Sequence, residues 1–168
     1  MNIELVTAYL CLGSNMGDRR ANLEKALEYL SQRLRVTLKS SIYDTEPVGN
    51  QQQPRFLNMV CQVKTMLKPQ DLLVLAKAIE RKQGRIPGRP NTPRPIDIDI
   101  LFYGEEVVKT PELTIPHPRL AQRAFVLVPL AEIAPALIHP VAKKTVSELL
   151  KEVKHGVQGV MKLEDEEG

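Results

Sequence analysis

The chain has 168 residues, an ordinary apolar fraction for a globular protein and a formal net charge of +3. That length suits one domain with a real core, and no apolar run is long enough to span a membrane. With no Trp, three Phe and four Tyr, the chain is poorly supplied for a base-stacking nucleic-acid surface. Met1-Asn2-Ile3-Glu4 is not the basic lead-in of a signal peptide, so the cytoplasm is the default expectation. Cys11 and Cys61 fall in predicted strands without metal-ligand spacing and read as small core residues rather than a disulfide.

Val6 to Leu12 is the first predicted strand, nearly all apolar and therefore central. It ends in Gly13-Ser14-Asn15-Met16-Gly17-Asp18. This stretch lacks the P-loop lysine and the full Rossmann glycine set, so taken alone it is a strand-to-helix turn with Asp18 as N-cap. Arg19 to Arg33 is the first helix, with Leu23, Ala26, Leu27, Leu30 and Leu34 on one face. Val36 to Tyr43 alternates as a second strand with one wet face. The long polar connection Asp44 to Pro54 is read equally well as a functional loop or a hairpin link.

Phe56 to Thr65 is a third strand. Leu57, Met59, Cys61 and Val63 face the helices, and Phe56, Asn58, Val60 and Gln62 face away. An aromatic plate beside an amide can bind a flat heterocycle, although the pair taken alone is more often an edge aromatic and a solvated Asn. Lys68 to Gln83 is the second helix, opened by Pro69 and ended by Gly84. Its stripe is Leu72, Leu75, Ala76 and Ile79. Glu80 and Arg85 lie at its end, before a loop carrying Arg85, Arg89 and Arg94 among Pro87, Pro90, Pro93 and Pro95.

The next segment, Ile96 to Phe102, is a strand with Ile96, Ile98, Ile100 and Phe102 on one side and Asp97, Asp99 and Leu101 on the other. Asp is depleted in strands, yet two share a face about 6.6 Å apart along the chain. A cation between them removes their repulsion, and hard oxygens on a rigid strand suit Mg²⁺ when phosphates complete its shell. An isolated D-x-D is more often a solvated or Arg-neutralised pair; the arginine-rich loop beside this one shifts the balance to a metal–polyphosphate site. Beyond Gly104, Val107-Val108 is a short strand. Leu113 to Arg119 is proline-locked and not helical throughout. His117, with Arg119 and Arg123 behind it, is a candidate phosphate contact. Ala124 to Ile133 is buried, and Val146 to Val153 is the final helix with Ser147 near its start. His139 and His155 receive no role. Residues 1–163 are expected to form one catalytic domain, with Glu164 to Gly168 as a frayed acidic tail.

The order β-α-β-β-α-β is that of an α+β, ferredoxin-like fold: two helices on one face of an antiparallel sheet, plus C-terminal additions. Strand phase then places Phe56, Asn58, Asp97 and Asp99 together on the other face, which is free unless loops cover it. A one-residue slip would undo this.

Gly13-Ser14-Asn15, Pro47-Val48-Gly49, Phe56-Leu57-Asn58, the run Pro93 to Leu101 and Ile115-Pro116-His117-Pro118-Arg119 occur in order. Together they resemble the 6-hydroxymethyl-7,8-dihydropterin pyrophosphokinase family, over about the first strand to Ile138. The resemblance implies diphosphate transfer from ATP to the pterin hydroxymethyl group with release of AMP, in folate biosynthesis, with ATP as co-substrate and two Mg²⁺ ions. It implies that Asp97 and Asp99 hold the metal. Phe56 and Phe125 would sandwich the pterin, with Asn58 and the backbone around Thr45, Pro47, Val48 and Gly49 reading its edge. Glu80, Arg85, Arg94, Ile100, Thr114, His117 and Arg123 would contact ATP or line its site. Arg85, Arg94, Asp97 and Asp99 would be catalytic. No general base is named clearly; Asp97 is a weak candidate. The implied partners are the two small molecules, with no nucleic acid, no membrane and a monomeric state.

Family members often carry an aromatic residue shortly before the Pro-Arg step and a second arginine two residues after the one matching Arg85. Here Asn91 and Pro87 stand there, in a loop one residue shorter, with Arg89 as the candidate replacement. The expectation is altered turnover or ATP affinity rather than an altered reaction. Two other readings are weaker: a Mg²⁺-dependent nucleotidyltransferase, which would release pyrophosphate instead of AMP, and an RNA-binding module, which two sheet carboxylates would disfavour.

Overall fold

The computed structural model describes residues 4–46, 54–85, 93–153 and 159–163. Two sequence periods build its frame. The apolar strand β1 (Val6–Ser14) leads into α1 (Arg19–Ser31), whose Leu23, Ala26 and Leu30 repeat at helical spacing and are buried. Asp18 caps α1, its carboxylate accepting the Ala21 N–H at 3.1 Å. The chain returns as β2 (Arg35–Lys39) and β3 (Tyr43–Thr45), then runs along β4 (Phe56–Thr65). Helix α2 (Pro69–Lys82) opens on Pro69 and stops before Gly84, whose φ of 99° few other residues adopt. There follow β5 (Asp97–Tyr103), the hairpin β6 (Val108–Lys109) and β7 (Thr114–Ile115), a 3-10 turn at Leu120–Gln122, α3 (Ala124–Ile133), α4 (Val146–Lys151) and β8 (Val160–Lys162).

The main sheet runs β5-β1-β4-β3-β8, with β2 also pairing β4, and its pairings are antiparallel. This is the ferredoxin-like α+β arrangement. Helices α1 and α2 cover one face over Leu10, Leu12, Leu57, Met59, Cys61, Ile98 and Ile100. The opposite face has a second core, in which Tyr9, Cys11, Val60, Leu101 and Phe102 meet Leu120, Val126, Leu127 and Leu130. The far half of the face that the sequence left to loops is therefore covered by the C-terminal elements. Phe56, Asn58, Asp97 and Asp99 lie at the other end, beyond that core. Cys11 and Cys61 are buried, free and on opposite faces. Among the described residues, no helix is long and apolar enough to cross a membrane.

Four local readings need correction. Gly13 and Ser14 belong to β1 rather than to the turn after it. The strand expected over 36–43 is broken at Ser40. There the Ser40 N–H donates to the Val60 carbonyl at 2.8 Å, and the Val60 N–H donates to Ser40 Oγ at 2.9 Å. The hydroxyl thus takes the place of a ladder carbonyl. On β5 the alternation ends in a bulge: Tyr9 pairs with Phe102 and Leu10 with Ile100, leaving Leu101 unpaired. Phe102 therefore joins Leu101 in the second core rather than the isoleucines, and Tyr103 takes the helix side. Asp97 and Asp99 precede the bulge and keep their predicted face. Finally, the last helix starts on a Thr145–Glu148 capping box and ends at Lys151, and β8 follows it along the edge of β3. The acidic tail at 164–168 lies outside the described residues.

Candidate active site

Strand β1 pairs Gly13 with Asn58 on one side and with Asp97 on the other. Directly opposed residues on neighbouring strands project to the same face. Asn58, Gly13 and Asp97 therefore form a row across three strands, with no side chain at its centre. Asn58 is buried, and its Nδ2 donates to Thr45 Oγ1 on β3. Phe56 lies two residues along the same face of β4. The Arg94 guanidinium stands 5.7 Å from its ring centre, and Arg123, at the start of α3, stands 5.4 Å from that of Phe125.

The charged half of the site centres on Asp97. Its Oδ1 accepts from Arg85 Nη1, and its Oδ2 lies 3.3 Å from Arg94 Nη1. Arg85 also donates to Glu80 Oε2 at 2.9 Å. Glu80 is buried on α2, and the same oxygen accepts the Ile98 N–H at 2.7 Å, so one carboxylate ties α2, the arginine and the edge of β5 together. Burial raises the Glu80 pKa, and Asp97 adds to this against the opposing pull of Ile98 N–H and Arg85. Burial by itself would lower the Arg85 pKa, but Asp97 and Glu80 outweigh it and the net shift is upward.

Asp99 is the next residue on this face. Burial, then the charges of Asp97 and Glu80, push its carboxyl up to about 7. His117 is held by its own N–H, which donates at 3.1 Å to the carbonyl of the bulged Leu101. Its Nδ1 accepts the Arg119 N–H at 3.3 Å, which leaves Nε2 as the protonated nitrogen. Burial and the neighbouring Arg123 lower its pKa to about 4, so the ring is neutral at neutral pH.

Asp97 and Asp99 fit a hard divalent cation. They offer two carboxylates on one rigid strand, crowded enough that one resists ionisation, and a positive ion relieves that crowding. Among the described residues no third His, Cys, Asp or Glu joins them in a metal-binding cluster. The remaining coordination positions would fall to substrate oxygens and water, which is how Mg²⁺ is held beside phosphates.

The structure brings together Thr45, Phe56, Asn58, Glu80, Arg85, Arg94, Asp97 and Asp99, with Arg123 and His117 close enough to act on the carboxylates electrostatically. Thr114 lies on β7 beside β5. The Ile100 side chain is buried in the helix-side core, away from the carboxylates. Pro47, Val48 and Gly49 lie outside the described residues, as do Pro87, Arg89, Pro90 and Asn91.

Sequence reasoning gave no role to two residues of the Gly13-Ser14-Asn15 run that shape this site. Gly13 is the centre of the row, where a side chain would meet Asn58 Oδ1. Asn15, 1% exposed, accepts the Arg94 N–H on its Oδ1 at 2.8 Å and donates from Nδ2 to the Pro54 carbonyl at 3.2 Å. Its N–H also donates to the Arg94 carbonyl at 3.1 Å. One side chain thus joins the approach to β4 with the approach to β5. An Asn following a Gly-Ser step at the end of an apolar strand was the available signal.

A family model described as 7,8-dihydro-6-hydroxymethylpterin-pyrophosphokinase matches residues 9–135. The chain is 43% identical over 148 residues to the 2-amino-4-hydroxy-6-hydroxymethyldihydropteridine pyrophosphokinase of Aquifex aeolicus, covering 88% of this chain and 92% of that one. It is 40% identical over 148 residues to the folic acid synthesis protein FOL1 of Dictyostelium discoideum, covering 88% of this chain and 22% of that longer one. Among solved structures, the Plasmodium falciparum HPPK-DHPS crystal structure superposes with a TM-score of 0.73 at 19% identity. That match covers 90% of this chain and 46% of the other, and it bears on the fold.

Proposed function

The chain belongs to the 7,8-dihydro-6-hydroxymethylpterin-pyrophosphokinase family and transfers diphosphate to 6-hydroxymethyl-7,8-dihydropterin in folate biosynthesis; we propose that it does so with Mg²⁺ and ATP, releasing AMP, across the Asn58–Gly13–Asp97 row. That row is the observation that carries the assignment of residues. It sets a buried amide that can read a heterocycle edge on one side of Gly13 and a metal-type carboxylate on the other.

In this reading the pterin stacks between Phe56 and Phe125. Asn58 and the Thr45–Gly49 backbone accept from and donate to its edge. Its hydroxymethyl arm extends from the Asn58 side of the site towards Asp97. The triphosphate lies against Arg85, Arg94, Arg123 and the Nε2–H of His117, whose positive charge and donors offset the charge of the transferred group. Glu80 holds Arg85 in place and fixes the β5 edge through Ile98. Ile100 faces the same edge by the period of two, and because its side chain is in the core it would offer the nucleotide its backbone. The arm's oxygen bonds to the β-phosphorus, the bond from that phosphorus to the AMP oxygen breaks, and the hydroxyl proton passes to solvent water. Mg²⁺ ions, held by Asp97 and Asp99, would screen the phosphates and polarise the bond being broken. Residues 1–163 would act as one catalytic domain, monomeric and cytoplasmic, with 164–168 outside it.

The test is incubation with ATP, Mg²⁺ and 6-hydroxymethyl-7,8-dihydropterin, followed by chromatography of nucleotides and pterins. AMP and pterin diphosphate should form in equal amounts, and only with all three present. Pyrophosphate release, or AMP formed without pterin, would overturn the reading.

A further inference from the structure

We propose that Gly13 is a positioning residue for the pterin: its missing side chain sets the pose of Asn58, and so the affinity for the heterocycle. This deepens the assignment of Asn58 to the pterin and rests on that reading.

The backbone does not require glycine at this position. Gly13 lies inside β1, paired on both sides, and is not among the residues of positive φ. Glycine weakens a strand interior, and in such a place it commonly marks a close approach by another group. Here the approaching group is a side chain. A Cβ at Gly13 would stand 2.5 Å from Asn58 Oδ1 and 3.4 Å from Phe56 Cδ1. The first separation is about 1 Å short of van der Waals contact. Asn58 cannot turn aside freely, because it is 5% exposed and its Nδ2 is bonded to Thr45 Oγ1, itself 1% exposed. Any side chain at 13 therefore displaces Oδ1 or breaks the bond to Thr45. The same methyl group would press on Phe56, the proposed stacking plate. Two nucleotide-side groups border that displacement, Arg94 over the Phe56 ring and Asp97, and each is held by partners away from Asn58: Arg94 by its backbone bonds with Asn15, Asp97 by Arg85 and Arg94.

Gly13→Ala, Asn58→Ala and the double variant test this in two independent ways. In steady-state assays Gly13→Ala should lower kcat/KM for the pterin about 10- to 100-fold, the range a misplacement of about 1 Å produces. The Kd for a non-hydrolysable ATP analogue with Mg²⁺, measured by calorimetry without pterin, should stay within about twofold. The losses should not add: in the Asn58→Ala background, Gly13→Ala should have little further effect. In thermal unfolding, which needs no substrate, Gly13→Ala should lower the midpoint and Asn58→Ala should recover most of that loss. Additive kinetic losses, an equal weakening of the ATP analogue, or a double variant as unstable as the sum of the singles would overturn the proposal. If Gly13→Ala fails to fold, the stability of the double variant still decides the matter. Failure of the wild type to make pterin diphosphate would refute the reaction as assigned, while the thermal cycle would still report on the Gly13–Asn58 contact.

Discussion

Replacing Glu80 by alanine should destabilise the fold and disarm the nucleotide side of the site together. Glu80 Oε2 is the acceptor for the Ile98 N–H, and Ile98 is only 3% exposed. Without it that donor is buried and unpaired, at a cost of about 1–3 kcal/mol. The ion pair with Arg85 adds about 1 kcal/mol and no more, since Arg85 keeps Asp97 and is itself 23% exposed. The sum is about 2–4 kcal/mol, which in a protein of this size lowers Tm by about 5–15 °C. Glu80→Gln keeps an acceptor for Ile98 and should cost about 1 kcal/mol. Urea unfolding at pH 7 reads the stabilities. Kinetics should show the KM for ATP raised several-fold in Glu80→Ala, with the KM for pterin nearly unchanged. Equal stability losses in the alanine and glutamine variants, or an alanine variant within about 0.5 kcal/mol of wild type, would refute the bridging role.

The two aspartates should respond in opposite ways. Asp97 pairs with two arginines, so Asp97→Asn should lower metal-free stability. The Asp99 carboxyl has a folded pKa of about 7 against an ordinary value near 4, so its charged form costs stability, increasingly as pH rises from about 4 through 7. Asp99→Asn should therefore raise Tm without metal, most of all above pH 7, while AMP formation falls at least about 100-fold in both variants. A Tm unchanged or lowered in Asp99→Asn would contradict the crowding argument. Asn15→Ala should strip the Arg94 N–H of its acceptor and loosen the approach to Phe56, raising the KM for both substrates; a change confined to one substrate would deny that it joins the two sides. His117, with its folded pKa lowered to about 4, should contribute stability in full above about 6.5 and lose it as pH falls towards 4. His117→Asn should be flatter over that range, and an NMR titration midpoint above 6.5 would refute the buried neutral ring.

Much of this site was legible because it sits in period-two segments. Alternation in Phe56 to Thr65 and in Ile96 to Ile100 assigns every side chain to a face, since a strand that buries one face cannot slip by one residue without exposing its core. Asn58, Asp97 and Asp99 were therefore placed correctly before any pairing was known. The helices were equally legible: Leu23, Ala26 and Leu30, and Leu72, Ala76 and Ile79, repeat at their period and all are buried.

What the local pattern could not contain is whatever depends on a neighbouring strand. The bulge at Leu101 exists because β1 pairs Tyr9 with Phe102 and Leu10 with Ile100, and it redirects Phe102. Strand β8 is too short to announce itself and forms on the edge that β3 offers. The bridging of Glu80 to Ile98 joins residues 18 apart in sequence. Residue order and period thus determined the βαββαβ frame and the face of each carboxylate, because both are properties of one segment's repeat. Only the tertiary structure decided that a glycine on β1 lies beneath Asn58 of β4 and beside Asp97 of β5, because van der Waals exclusion acts between atoms brought together by strand register.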